Sequence, residues 1–168
     1  MSTHSIFISD LHLSPERPQI NQVFFAFAAG IAARAETLYV LGDLFEYWVG
    51  DDDLADPFNA SVADAFAALS GKGVRVRMMQ GNRDVLLGEA FARRCGADLM
   101  DDPTLLDLHG VRTLVMHGDT LCTDDVEYQK FRVYARDPGN QSRFLAQPFQ
   151  QGWRHIGSDN GRGSLQAA

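Results

Sequence analysis

The sequence predicts an α/β protein, in which parallel strands alternate with helices and antiparallel strands join later in the chain. Two observations carry that expectation. Short β-rich runs alternate with amphipathic runs up to about residue 96, after which a hairpin pattern takes over. Polar residues able to do chemistry also fall at the ends of successive strands instead of being scattered.

Taken in order, residues 5–9 form a short apolar strand. A helix follows, with Ile20, Val23, Phe24, Phe27 and Ile31 on one stripe at helical spacing. Residues 37–41 are β-rich and end in Gly42-Asp43. Val62, Phe66 and Leu69 mark a second helix, stopped by Gly71 and Gly73. A third strand over 74–79 runs into Gln80-Gly81-Asn82-Arg83-Asp84, and a short helix over 88–94 ends at Gly96. Residues 105–108 and 112–116 read as hairpin arms about His109-Gly110, the second arm ending in His117-Gly118-Asp119. Beyond Thr123 a helix is expected, with Asp124, Asp125 and Glu127 in its first turn, where negative charge meets the positive end of the helix dipole. Tyr128, Phe131 and Ala135 share one face of it.

At 168 residues the chain fits one domain with a sizeable core, and its 45% apolar and 22% charged residues are ordinary for a globular protein. A formal net charge of −7 argues against nucleic acid as a partner, because such binding works by neutralising phosphates. It leaves room for one anionic ligand at a local cationic site built around metal ions. Cys95 and Cys122 lack ligand-like spacing and point to a reducing compartment. No basic-then-apolar leader pattern opens the chain, and the apolar run 23–33 is too short to span a bilayer. The expectation is a cytoplasmic protein, with peripheral membrane contact open.

Each strand-end residue has a plain structural reading: an aspartate that forms a turn, Asn82 in a left-handed turn, His117 closing a strand. Their coincidence at four strand ends is what points to a site, since parallel strands bring their carboxyl ends to one edge, where ligands bind. Asp10, His12, Asp43, Asn82 and His117 mix hard oxygen donors with imidazoles, a set suited to Mn2+ or a related divalent ion. Gly42, Gly81 and Gly118 beside them allow sharp turns and close backbone approach. His4, His109 and His155 have no such placement and read as surface residues.

In that order, Asp10-x-His12, Gly42-Asp43, Gly81-Asn82-x-Asp84 and His117-Gly118-Asp119 resemble the motifs of the calcineurin-like metallophosphoesterase superfamily. The resemblance implies an α/β sandwich of sheets flanked by helices. It also implies two metal ions, with Asp10 and His12 on the first, Asn82 and His117 on the second, and Asp43 bridging them beside a shared water. Two divalent ions about 3.5–4 Å apart lower the pKa of that water and clamp an in-line displacement at phosphorus. Arg83 stands where most of the superfamily has His. With "GDLFEYWVGDDD" (42–53), "GNRD" (81–84) and "HGDTLCTDDVEYQKFR" (117–132), the chain resembles the UDP-2,3-diacylglucosamine hydrolase family of lipid A biosynthesis from residue 5 to about 149.

What this second resemblance implies is specific. The reaction is hydrolysis of the pyrophosphate bond of UDP-2,3-diacylglucosamine to 2,3-diacylglucosamine 1-phosphate and UMP, with Mn2+, peripherally at the cytoplasmic face of the inner membrane. Asp43, Asn82 and His117 would be the catalytic set. Asn82 and Arg83 would hold phosphate oxygens, for which the planar arginine fork is suited. Asp125 and Tyr128 would contact substrate, although a helix-stabilising acid at Asp125 is equally compatible with the sequence. Asp84 and Asp119 would orient ligands.

The family pattern continues with a helical insertion over the acyl chains, a Gly-His-Thr-His stretch giving each metal one more histidine, and further strands. This sequence has none of these and instead closes on "QQGWRHIGSDNGRGSLQAA". The expectation is therefore a C-terminally incomplete metallophosphoesterase domain over 1–149, a disordered tail foreign to the family over 150–168, an exposed sheet edge, and at most a trace of activity. Three other readings fare worse. A different metallophosphoesterase, such as a phosphomonoesterase or cyclic nucleotide phosphodiesterase, is disfavoured by Arg83 and the 117–132 stretch. A receiver-like signalling domain with Asp43 as phospho-acceptor lacks the acidic pair after its first strand. A dinucleotide fold lacks its Gly-x-Gly-x-x-Gly.

Overall fold

The computed structural model describes residues 4–146. Its main sheet holds four parallel strands in chain order: β1 (Ser5–Ile8), β2 (Thr37–Leu41), β3 (Arg75–Met79) and β4 (Ala97–Met100). Ser5 pairs with Thr37, Thr37 with Arg75, and Val76 with Ala97. The crossovers are α1 (Pro18–Ala29), α2 (Pro57–Gly71) and α3 (Glu89–Cys95). Right-handed crossovers between strands added in one direction put successive helices on the same face. Strand alternation agrees, since Leu38, Val40, Val76 and Met78 bury against Phe24, Phe66, Leu69 and Phe91.

The residues between them face the other way. Tyr39, Met79 and Met100 bury against Leu106 and Val115 of an antiparallel hairpin, β5 (Thr104–Leu108) and β6 (Val111–Val115). Two helices close the described chain, α4 (Val126–Ala135) and α5 (Pro138–Leu145). The architecture is thus the expected sheets flanked by helices. Among the described residues, no helix is long and apolar enough to cross a membrane.

Local chemistry explains the helix ends. Asp56 caps α2 by accepting from Phe58 N at 2.9 Å, and Pro57 fills the first turn, where no N–H partner is missed. Gly88 precedes α3 with no side chain to cap it, so Asp51 does so from a distant loop. Its carboxylate accepts from Gly88 N at 2.9 Å and Ala90 N at 2.7 Å. Gly96 ends α3 in the left-handed conformation, φ 63°.

The α1 stripe needs correction. Val23 is 68% exposed and Ile31 57%, while Asn21, Phe24 and Ala28 are the buried positions. The inward face is set by residues the hydrophobic count undervalues: Ala28 is small, and Asn21 is held inside by donating to Ser14 O at 2.7 Å. Neither β4 nor α5 was anticipated from the sequence, and residues 150–168, including His155, lie outside the described residues.

Candidate metal centre

Beyond the last paired residues of β1 and β2, the two chains keep running side by side. Asp10 N donates to Gly42 O at 3.1 Å, His12 N to Asp43 O at 3.0 Å and Leu13 N to Leu44 O at 2.9 Å. This irregular continuation of the ladder carries the Asp10-x-His12 turn onto Asp43. All three residues sit in the left-handed region, with φ of 55°, 48° and 52°. Asp and His tolerate that region better than most residues, and conformations of this kind gather at functional sites. One ligand atom from each of the three lies within 4.8 Å of the others.

Asp43 is buried, and its two carboxylate oxygens face different imidazoles. Oδ2 lies 3.7 Å from His12 Nε2, and Oδ1 lies 3.8 Å from His117 Nε2. These separations exceed a hydrogen bond but suit donors that share a cation on each side. His117 sharpens the test. Its Nδ1 is 2.9 Å from Leu41 O, a carbonyl that can only accept, so Nδ1 carries a proton and Nε2 is the ring atom turned toward the site. That atom then faces Asn82 Oδ1 at 3.1 Å and Asp43 Oδ1, both acceptors. A cation placed among Nε2 and the Asp43 and Asn82 oxygens could take all three as ligands. The donor set therefore fits divalent ions.

Asp84 builds the platform beneath. Only 1% exposed, its carboxylate accepts from Leu44 N at 2.7 Å, Gly81 N at 2.8 Å, Asp43 N at 3.2 Å and Phe45 N at 3.4 Å. Burial pushes its carboxyl up and the Asp43 charge adds to that, while the backbone donors work against both. Two glycines permit the approach of the loops. A Cβ on Gly42 (φ 95°) would lie 2.6 Å from Gly81 Cα and 2.7 Å from His117 Nδ1, and one on Gly81 would overlap the Asp43 carboxylate. Gly42→Ala is expected to cost about 2 kcal/mol or more, measured by urea unfolding, because backbone cannot give way as a flexible side chain can.

The structure thus gathers Asp10, His12, Asp43, Asn82 and His117 at one sheet edge. Arg83 joins them through its backbone N–H, which donates to Asp43 Oδ1 at 2.8 Å, while its exposed guanidinium lies 3.7 Å from Glu46. Asp125 caps α4 by accepting from Tyr128 N at 3.0 Å, a role compatible with contact to a ligand. Tyr128 donates its hydroxyl to Asp119 Oδ2 at 2.7 Å. Burial and this bond hold the phenol above its usual range. Burial would raise Asp119 too, but the hydrogen bonds from Tyr128 and Arg132 outweigh it and lower its carboxyl.

Sequence reasoning missed three contributors. Glu46 Oε2 lies 3.4 Å from His12 Nδ1. Asp102 Oδ1 accepts the N–H of His117 itself at 3.1 Å, and Arg132 holds the other Asp102 oxygen at 2.7 Å. Asp102 follows the unanticipated β4, which hid it. Arg132 lies one helical turn beyond Tyr128, a spacing that could have revealed it.

The family model of calcineurin-like phosphoesterases matches residues 4–166. The chain belongs to that family. Family membership and the Asp10, His12 and Asp43 group together imply divalent metal ions. The chain is 52% identical over 144 residues to the UDP-2,3-diacylglucosamine hydrolase of Stenotrophomonas maltophilia (strain K279a), covering 86% of this chain and 58% of that protein. It is 54% identical over 133 residues to the protein of the same name from Aliivibrio fischeri (strain MJ11), covering 79% and 55%. For that of Hahella chejuensis (strain KCTC 2396) the figures are 49% over 147 residues, 88% and 60%. The chain thus spans under two thirds of the length of these relatives. Among solved structures, the Pseudomonas putida nuclease MPE covers 61% of this chain and 50% of its own at 21% identity and a TM-score of 0.48.

Proposed function

We propose that the phosphoesterase hydrolyses the pyrophosphate bond of UDP-2,3-diacylglucosamine, releasing UMP and 2,3-diacylglucosamine 1-phosphate, with two Mn2+ ions. The observation that carries this reading is the Asp43 carboxylate set between His12 and His117, with Asn82 and Arg83 beside it. Identities of 49–54% to hydrolases named for that substrate support its choice.

Asp10 and His12 would hold one ion, Asn82 and His117 the other, and Asp43 both. Bound there, the ions would supply the charge that acidifies water and neutralises phosphate oxygens. The protein's part is orientation. Leu41 O fixes the His117 tautomer, Asp84 fixes the backbone of Asp43, and the neutral Asn82 and His117 leave net positive charge for an anionic substrate. Arg83 would exchange its distant Glu46 partner for a phosphate oxygen, a stronger charge-assisted contact. Asp125, the cap of α4, would contact the substrate as well. Because a diacylated substrate resides in a bilayer, we place the reaction peripherally at the cytoplasmic face of the inner membrane.

Chromatography of the first product tests the chemistry. UMP is expected, with little turnover of cyclic nucleotides or simple phosphomonoesters. UDP or uridine appearing first would contradict cleavage at the pyrophosphate.

A further inference from the structure

Helix α4 has no buried residue, yet it is fastened to the centre by a dense set of polar bonds. Arg132 donates from Nη2 to Asp102 Oδ2 at 2.7 Å and from Nε to Asp119 Oδ2 at 2.9 Å. Gln129 Nε2 adds a bond to Asp119 O at 2.8 Å. One turn on, Arg136 Nη2 donates to Gln80 O at 3.1 Å, just ahead of Gly81-Asn82, and lies 3.4 Å from Asp102 Oδ2. The Asp102 and Asp119 side chains are 2% and 6% exposed, so two buried carboxylates meet two guanidiniums.

We infer that Arg132 and Arg136 are positioning residues for one half of the centre, that of Asn82 and His117. Arg132 acts on His117 through Asp102, which accepts the backbone N–H of His117, and Arg136 acts on Asn82 through the carbonyl of Gln80. The other half is supported differently. The backbone N–H groups of Asp10, His12 and Leu13 bond to the 42–44 segment, and the described contacts of Asp10 and His12 include none with α4. The inference rests on the two-ion reading above, and it makes a one-sided forecast that a merely structural role does not. Lysine at 132 keeps the charge but loses the fork that engages two carboxylates at once.

The test is Mn2+ titration by calorimetry on this chain and on Arg132→Lys, each also in His12→Ala and His117→Ala backgrounds. Two binding steps are expected for the parent. Arg132→Lys should weaken the step that survives in His12→Ala by roughly 10-fold or more, the usual scale for groups that support ligands. It should leave the step that survives in His117→Ala within about twofold, because the described contacts of Asp10 and His12 include none with Arg132. Equal weakening of both steps, or of neither, overturns the inference while leaving the two-ion reading intact. Fewer than two steps in the parent overturns both. If Arg132→Lys does not fold, Arg136→Lys, which disturbs the contacts to Gln80 O, Gly81 O and Asp102, carries the same forecast and the same refutation.

Discussion

Asp43→Asn is expected to abolish paired metal binding, reducing calorimetric stoichiometry from two ions to at most one. In a full-length relative carrying these same motifs, hydrolysis should fall with it by about a thousandfold, which corresponds to about 4 kcal/mol of transition-state stabilisation, a scale that metal charge can supply. The amide keeps the volume and an oxygen for the Arg83 N–H, and asparagine tolerates the left-handed backbone at φ 52°. What it loses is the negative charge that balances two cations. Asp43→Ala would lose the Arg83 bond as well, so the asparagine variant isolates the bridging role. Unchanged stoichiometry and affinity in Asp43→Asn would contradict that role.

The second large effect lies on stability. Asp84→Ala strands the N–H groups of Leu44 and Gly81, which make bonds of 2.7 and 2.8 Å, and two longer ones from Asp43 and Phe45. Each stranded buried donor costs about 1–3 kcal/mol. Removing a buried carboxylate also relieves its desolvation and its repulsion from Asp43, so the donors' cost is partly offset. The two short bonds still dominate, and a net loss of about 3–4 kcal/mol is expected, a large fraction of the stability of an ordinary domain. Urea unfolding with an unchanged slope checks it. A loss below about 1 kcal/mol would show that Asp84 does not organise the loops.

Much of this organisation was legible in the sequence because it is local. Thr37–Leu41 is β-rich and is the strand β2, and Val62, Phe66 and Leu69 bury as their spacing requires. The Asp and His residues after β1 and β2 are types that accept the left-handed backbone found there. What escaped was non-local or small. Strand β4 is only four residues, squeezed between Gly96 and the Asp101-Asp102 turn. The inward face of α1 depends on Asn21 finding Ser14 O, which no count of apolar residues registers. Asp102 and Arg132 come from separate elements and meet each other, and the Asp119 already singled out in the sequence, only in the folded chain. Charged residues that neutralise one another at a distance leave no periodic trace in the sequence.

The central claim is that one carboxylate holds two ions between two imidazoles. Anomalous diffraction at the manganese edge, from crystals grown with Mn2+, tests it most directly. Two peaks are expected, one among Asp10, His12 and Asp43 and the other among Asp43, Asn82 and His117. A single peak, or two peaks that do not share Asp43, would contradict the account.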